Sequence, residues 1–237
     1  MISVITVAYN DLSNLQLTTE SVARLENRDQ VEYIVVDGGS TDGTRAYLEA
    51  HDATFDHWIS EPDKGIYDAM NKGTDRASGD WVIYMNAGDR FYRPDVLNRI
   101  DFAQHAGAAI LYGSTYRRKR AIVTEPHPLS QIRSGAIMAC HQSMFFNRRL
   151  LGERLRYRAH LDYSGDTDLV LRLYKAGEQL TQLPLVIADY DEDGITSGGG
   201  IPRRKLWRNR YEKARRLLLH FGPMGLVRGL LHKIKQG

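Results

Sequence analysis

The feature that most constrains this chain is a repeated change of period, in which short β-branched apolar runs stop at polar turns and give way to helical spacing. Residues 2–9 form the first run and end at Asn10-Asp11; Leu15, Val22 and Leu25 then fall on one helical face, with Ser13 as the expected N-cap. Residues 31–36 form the second, ending at Asp37-Gly38-Gly39-Ser40-Thr41-Asp42-Gly43-Thr44 before a helical stretch through Tyr47 and Leu48. Ser40, Thr41 or Asp42 can cap that helix, whereas no capping duty explains Asp37. A third run at 55–59 leads into Ser60-Glu61-Pro62-Asp63-Lys64-Gly65, after which Ile66, Met70 and Ala77 suggest a packed helix. The fourth, Trp81-Val82-Ile83-Tyr84-Met85, is apolar throughout, as a strand covered on both faces should be, and stops at Asn86-Ala87-Gly88-Asp89. Three alternations of strand and helix predict an α/β fold, a mostly parallel central sheet flanked by helices, with right-handed crossovers.

Beyond Asp89 the spacing predicts a helix over 94–103 and a strand over 108–112. The basic stretch Tyr116-Arg117-Arg118-Lys119-Arg120 reads as a solvated hairpin or loop. His141-Gln142 stands just before an apolar strand, and Asp166 stands near the first turn of a helix that turns Leu169, Leu173 and Ala176 inward. A carboxylate there either caps the helix or serves as a base. Ligands of open α/β sheets gather beyond the carboxyl ends of the strands, which places Asp89 where its oxygens can hold a hard cation. The competing view takes Asn86 and Asp89 as ordinary turn residues.

At 237 residues and 42% hydrophobic, the chain suffices for one sizeable domain. A lone Cys140 excludes an intrachain disulfide and a cysteine-based zinc cluster, which suits a reducing compartment. No basic leader precedes an apolar stretch, and no apolar run approaches the ~20 residues of a spanning helix, so a cytoplasmic protein is expected. Residues 203–237 hold 11 of the 32 basic residues and one of the 29 acidic ones, leaving this tail at +10 and the remainder at −7. The expected division is therefore a catalytic domain over 1–202 and a basic helical tail over 203–237. In the tail, Trp207, Tyr211, Ala214, Leu218 and Phe221 recur at helical spacing, with Val227, Leu231 and Ile234 beyond them. Such a helix suits an anionic membrane surface on the inner face of the cell membrane; the alternative is packing on the catalytic domain or on another subunit. Nucleic acid is not an expected partner, because stacking aromatics are not interleaved with the charge and the body is acidic.

The ordered set Ala8-Tyr9-Asn10, Val35-Val36-Asp37-Gly38-Gly39-Ser40-Thr41-Asp42-Gly43-Thr44, the segment from Ser60 to Gly73, Asn86-Ala87-Gly88-Asp89, His141-Gln142-Ser143 and Gly165-Asp166-Thr167-Asp168-Leu169 resembles the inverting glycosyltransferases of family 2, with the GT-A fold. The resemblance spans about residues 2–200 and is greatest to bacterial exopolysaccharide enzymes of the colanic-acid type, including Gly198-Gly199-Gly200. It implies that Asp37 and Asp63 hold the base and ribose of a nucleotide, with Asn10, Gly39, Lys64, Asn71, Asn86 and His141 in the same donor site. It further implies that Asp89 is the last carboxylate of a metal motif for Mg2+ or Mn2+, and that Asp166 is the catalytic base. Two departures stand out: Gly88 occupies the place of a second carboxylate, and Asn86 replaces an acid. A Gln-x-x-Arg-Trp motif of processive relatives is absent, which favours single transfers.

The implied function is inverting transfer of one hexosyl or deoxyhexosyl group from a UDP- or GDP-sugar to a hydroxyl of a glycan or lipid-linked saccharide, in exopolysaccharide or surface polysaccharide synthesis. The alternative is a non-catalytic nucleotide-sugar or glycan-binding module on the same fold. A pyrophosphorylase would need a glycine-rich basic loop after the first strand, and Tyr9-Asn10-Asp11-Leu12-Ser13 is not one.

Overall fold

The computed structural model describes residues 1–192, 211–212 and 214–227. Its first half alternates as the periodicity predicts: β1 (Ile2–Ala8), α1 (Leu12–Ala23), β2 (Val31–Asp37), α2 (Thr44–Ala50), β3 (His57–Ser60), α3 (Ile66–Arg76) and β4 (Trp81–Tyr84). Then follow β5 (Arg90–Phe91), β6 (Ile110–Arg117), β7 (Ile122–Thr124), β8 (Met144–Asn147), α4 (Arg148–Leu151), α5 (Gly165–Lys175) and β9 (Leu180–Tyr190). A last helix, α6, is described over 214–227.

One sheet carries the order β3-β2-β1-β4-β8-β6-β9-β5, with β7 paired to β6. β3, β2, β1 and β4 are mutually parallel, and β6 runs parallel to β9. β8 enters antiparallel to both β4 and β6, so the second half of the sheet is mixed. Alternation along each strand divides the core in two. Ile5, Val7, Ile34, Val36, Val82 and Tyr84 face α3 and α5, where Met70, Leu169 and Leu173 meet them. Val4, Val31, Tyr33, Val35, Trp81 and Ile83 face α1 and α2, where Leu15, Val22 and Leu48 meet them. Covering on both faces is why these strands read as unbroken apolar runs.

The amino ends of the parallel strands are fastened by a buried carboxylate. Glu32, opposite Ser3 in the β1–β2 register, accepts from the hydroxyls of Ser3 and Ser78 and from the Ser78 amide. Burial pushes the Glu32 carboxyl up, but these hydrogen bonds together outweigh it and leave it below the usual range.

Three local expectations are corrected. Helix α1 begins at Leu12, ahead of Ser13; its N-cap position is Asp11, which makes no side-chain cap bond, and the Leu12 amide is satisfied instead by Asp42 Oδ2 at 2.8 Å. Residues 94–103 contain only a 3-10 turn, Leu97–Arg99: the Pro94 carbonyl accepts from the Glu26 amide at 3.1 Å instead of opening a helical ladder, and the Val96, Arg99 and Ile100 amides bond three residues back. The basic stretch is a β6–β7 hairpin, but Arg118 is half-buried and engaged: it pairs with Asp189 at 3.1 Å and donates to the Gly88 carbonyl at 3.2 Å.

In the tail, Arg216 and Leu217 are buried and Phe221 packs on the core, whereas Tyr211 and Leu218 face outward. Trp207, Leu231, Ile234 and the Gly198-Gly199-Gly200 turn lie outside the described residues.

Candidate active site

The carboxyl ends of β1, β2 and β4 deliver their polar turns to one edge of the sheet. The first loop is tied to the second by Asn10, which adopts φ +50°, accepts from the Thr41 amide at 2.8 Å and donates its own amide to Ser40 Oγ at 2.7 Å. Asp37 is fully buried at the end of β2. It accepts from the Ser40 amide at 3.1 Å, from Ser40 Oγ, and from Ser60 Oγ at 2.7 Å, so it joins the ends of β2 and β3. Asp63 accepts from the Gly65 amide at 2.7 Å through Oδ1, and its Oδ2 fills the side-chain space of Gly38. Gly39 lies beside Pro62 on the same loop pair. Lys64 is exposed beyond it. Asn10, Asp37, Gly39 and Asp63 are therefore brought together. Asn71 is not with them: its amide bonds reciprocally to the Tyr157 backbone, at 2.9 Å each way, and braces α3 against the segment before α5.

The turn after β4 holds the second group. Asp89 is 3% exposed, with Oδ2 accepting from Gln142 Nε2 at 2.8 Å and Oδ1 from the Asp191 amide at 2.9 Å. Burial raises its carboxyl to about 7 against the pull of those bonds, so its charge is costly where it stands. Thr18 of α1 fixes the turn's backbone, donating to the Asp89 carbonyl at 2.8 Å and accepting from the Gly88 amide at 3.0 Å.

Gly88 has φ +95°, and a Cβ there would stand 2.7 Å from Asp191 Oδ2. Position 88 thus has neither the conformation nor the room for a carboxylate. The carboxylate of Asp191, just beyond β9, lies against it instead.

A 3-10 turn, His141–Ser143, binds this group to a third. His141 Nε2 is 3.0 Å from Asn86 Nδ2, and its Nδ1 is 3.0 Å from Asp166 Oδ2. Burial opposes a proton on His141, but the charge and hydrogen bond of Asp166, with the charge of Asp89, outweigh it and raise the imidazole above its usual value. Asp166 sits in the first turn of α5, and the N-cap of that helix is Ser164, not Asp166. Its Oδ1 is buried with no hydrogen-bond partner, as is Asn86 Oδ1. Gly165 lets the helix start close to Tyr67, where a Cβ would lie 2.8 Å from three ring atoms, and Tyr67 stacks on Tyr157 at 5.2 Å.

The oxygen set suits a hard divalent cation in part. Each Asp89 oxygen accepts one hydrogen bond and keeps a further lone pair, and Asn86 Oδ1 is an orphaned acceptor on the same turn. Among the described residues no group of three or more acidic, histidine or cysteine side chains forms a closed metal cage. A cation here would need ligands from a diphosphate and water as well.

Gln142, Asp191 and Arg118 join the site without having been singled out for it. Gln142 stands next to His141 in the chain, which was a usable signal; Asp191 and Arg118 arrive only through the pairing of β6 with β9.

Residues 3–167 match the model of the family described as glycosyl transferase family 2. An uncharacterized glycosyltransferase of Mycobacterium tuberculosis is 35% identical over 202 residues, covering 83% of this chain and 77% of that protein. Among solved structures, residues 1–349 of S. aureus TarS in complex with UDP-GlcNAc superpose with a TM-score of 0.72 at 15% identity, over 97% of this chain and 71% of that one. A mannosyltransferase from Pyrobaculum calidifontis, in complex with GDP-Man and Mn2+, gives 0.62 at 18% identity, over 97% and 73%. At these identities the two structures show the shared fold.

Proposed function

The chain belongs to glycosyltransferase family 2 and has the GT-A fold, and from that premise we propose that it transfers one hexosyl or deoxyhexosyl group from a UDP- or GDP-sugar to an acceptor hydroxyl, with inversion. The observation that carries the proposal is the state of Asp166. His141 holds one of its oxygens, while the other is buried and unpartnered beside the Asn86–Asp89 turn. A carboxylate held in this way is fitted to take a proton.

In the proposed reaction the acceptor oxygen attacks the anomeric carbon as the bond to the nucleoside diphosphate breaks on the opposite face. Asp166 Oδ1 receives the hydroxyl proton. His141 keeps Asp166 oriented and shares its other nitrogen with Asn86, so base and turn are set relative to each other by one imidazole. Asp37, Asp63, Asn10 and Gly39 form the wall for base and ribose, with Lys64 at its exposed rim. Asp89 and Asn86 would hold Mg2+ or Mn2+, and Asp191 lies where the motif's second carboxylate would stand. Such a cation, when bound, neutralises charge developing on the departing diphosphate.

The acceptor class we propose is a glycan or lipid-linked saccharide of a bacterial exopolysaccharide or surface polysaccharide, reached from the inner face of the membrane. Exposed Tyr211, Leu218, Leu219, Met224 and Val227 support contact of the tail with an anionic bilayer. No helix among the described residues is long and apolar enough to cross one. Equal liposome sedimentation of the full chain and of a version ending near residue 202 would refute that contact.

Thermal shift with UDP, GDP, dTDP and CMP, each with and without Mn2+, tests the central proposal, because a ligand that binds only the native state raises the melting temperature. A metal-dependent shift with one diphosphate is expected. No shift with any would favour a non-catalytic module.

A further inference from the structure

Helix α6 lies against the start of α5, and Glu212, Arg216 and His220, four residues apart, meet that region. Glu212, just ahead of the described 214–227 span, accepts from the amides of Asp162 and Tyr163 at 3.4 Å and from Ser164 Oγ at 2.8 Å. His220, eight residues on, lies with Nε2 3.3 Å from Asp168 Oδ1. Arg216 stands between them, four residues from each.

Arg216 is 3% exposed, and Nε, Nη1 and Nη2 all lack a hydrogen-bond acceptor. The Glu212 carboxylate is 3.9 Å from Nη1, beyond hydrogen-bond range, and is already engaged by the loop before α5. Burial pulls the guanidinium below its usual value, while the charges of Glu212, Asp168, Tyr67 and Asp166 work the other way. A buried cation whose five N–H donors are all unmet is destabilising unless something outside the protein meets them. The planar fork of a guanidinium matches the oxygens of a phosphoryl group.

We propose that Arg216 is a phosphoryl-oxyanion site that α6 contributes beside Asp166. The identity of the phosphoryl group rests on the glycosyl-transfer reading, which supplies two sources: the diphosphate of the donor or a phosphate of the acceptor.

The test compares melting of the full chain, wild type against Arg216→Met and Arg216→Gln, in sodium phosphate and in sodium chloride of equal ionic strength. At ten times its dissociation constant, phosphate raises the wild-type melting temperature by about 3–6 °C. Both variants lose that response, and Arg216→Met melts higher than wild type in chloride because its buried charge is gone. Saturating UDP or GDP with Mn2+ then separates the sources. A phosphate response that disappears assigns the site to the donor diphosphate; one that persists assigns it to the acceptor. Variants that answer phosphate as wild type does, or an Arg216→Met protein destabilised in chloride with its response intact, would overturn the proposal and make Arg216 a structural partner of Glu212. Because the probe is inorganic phosphate, failure of every nucleotide to bind leaves this result readable.

Discussion

Asp168→Asn is expected to weaken the whole domain, by an amount that can be worked from its surroundings. The carboxylate is fully buried in α5 and is met by Arg172 Nε at 2.9 Å, Arg158 Nη1 at 3.1 Å and His220 Nε2 at 3.3 Å. Removing one member of a buried pair typically costs about 3–5 kcal/mol, since the remaining charge is left uncompensated. Here the arginine side chains keep 47% and 25% of their exposure and can recover water, which lowers the figure to about 2–4 kcal/mol. For a chain of this size that is a fall in melting temperature of about 4–16 °C, with an unchanged urea m-value. Burial pushes the Asp168 carboxyl up, but His220, Arg172 and Arg158 outweigh it and leave it below the ordinary range. A depressed folded value means that its contribution is complete above the unfolded pKa and is lost as pH falls through the folded one. The gap between wild type and variant should therefore be constant from about pH 5 to 7 and close below about pH 4. A fall under about 2 °C at pH 7, or a gap that widens in acid, would refute the reasoning.

Three further outcomes follow from the site. Asp166→Asn should lower transfer by about 10²-fold or more while nucleotide affinity, read by calorimetry, stays near wild type; normal turnover by the folded variant would remove Asp166 from the base role. Asp89→Ala should abolish the Mn2+-dependent part of donor affinity, and an unchanged metal requirement in the same titration would count against Asp89. Gly165→Ala should cost about 1–3 kcal/mol in urea denaturation, because the added methyl meets the Tyr67 ring at 2.8 Å; a neutral substitution would show that the start of α5 has room to move.

The parallel half of the sheet was legible because its strands are doubly buried and each is punctuated by a polar turn; Asp37 and Asp89 stood out as carboxylates at such ends, and Asp166 as one at the start of a helix. Segment 94–103 was not, since Val96, Leu97 and Ile100 are buried at a spacing that a 3-10 turn and a helix share. Asn71 looked available beside Asp63, yet its amide is consumed by a backbone 86 residues away. The tail showed its charge but not its partners: the burial of Arg216 and the Asp168–His220 contact depend on where α6 lies, which no local pattern encodes.

The placement of Asp191 also bears on synthesis. Asp89 leaves the ribosome about a hundred residues before the amide that completes its shell, a separation of 102 positions. The parallel half, β1 to β4, can form early, as domains fold from the N-terminus during translation. Until β9 emerges, that nascent sheet presents a carboxylate turn lacking its last donor and the side chain that lies against Gly88. A chain stopped before residue 191 would keep most of the first half's core and still have an open turn at Asp89, so maturation of the site is timed by the end of the sheet and not by its beginning.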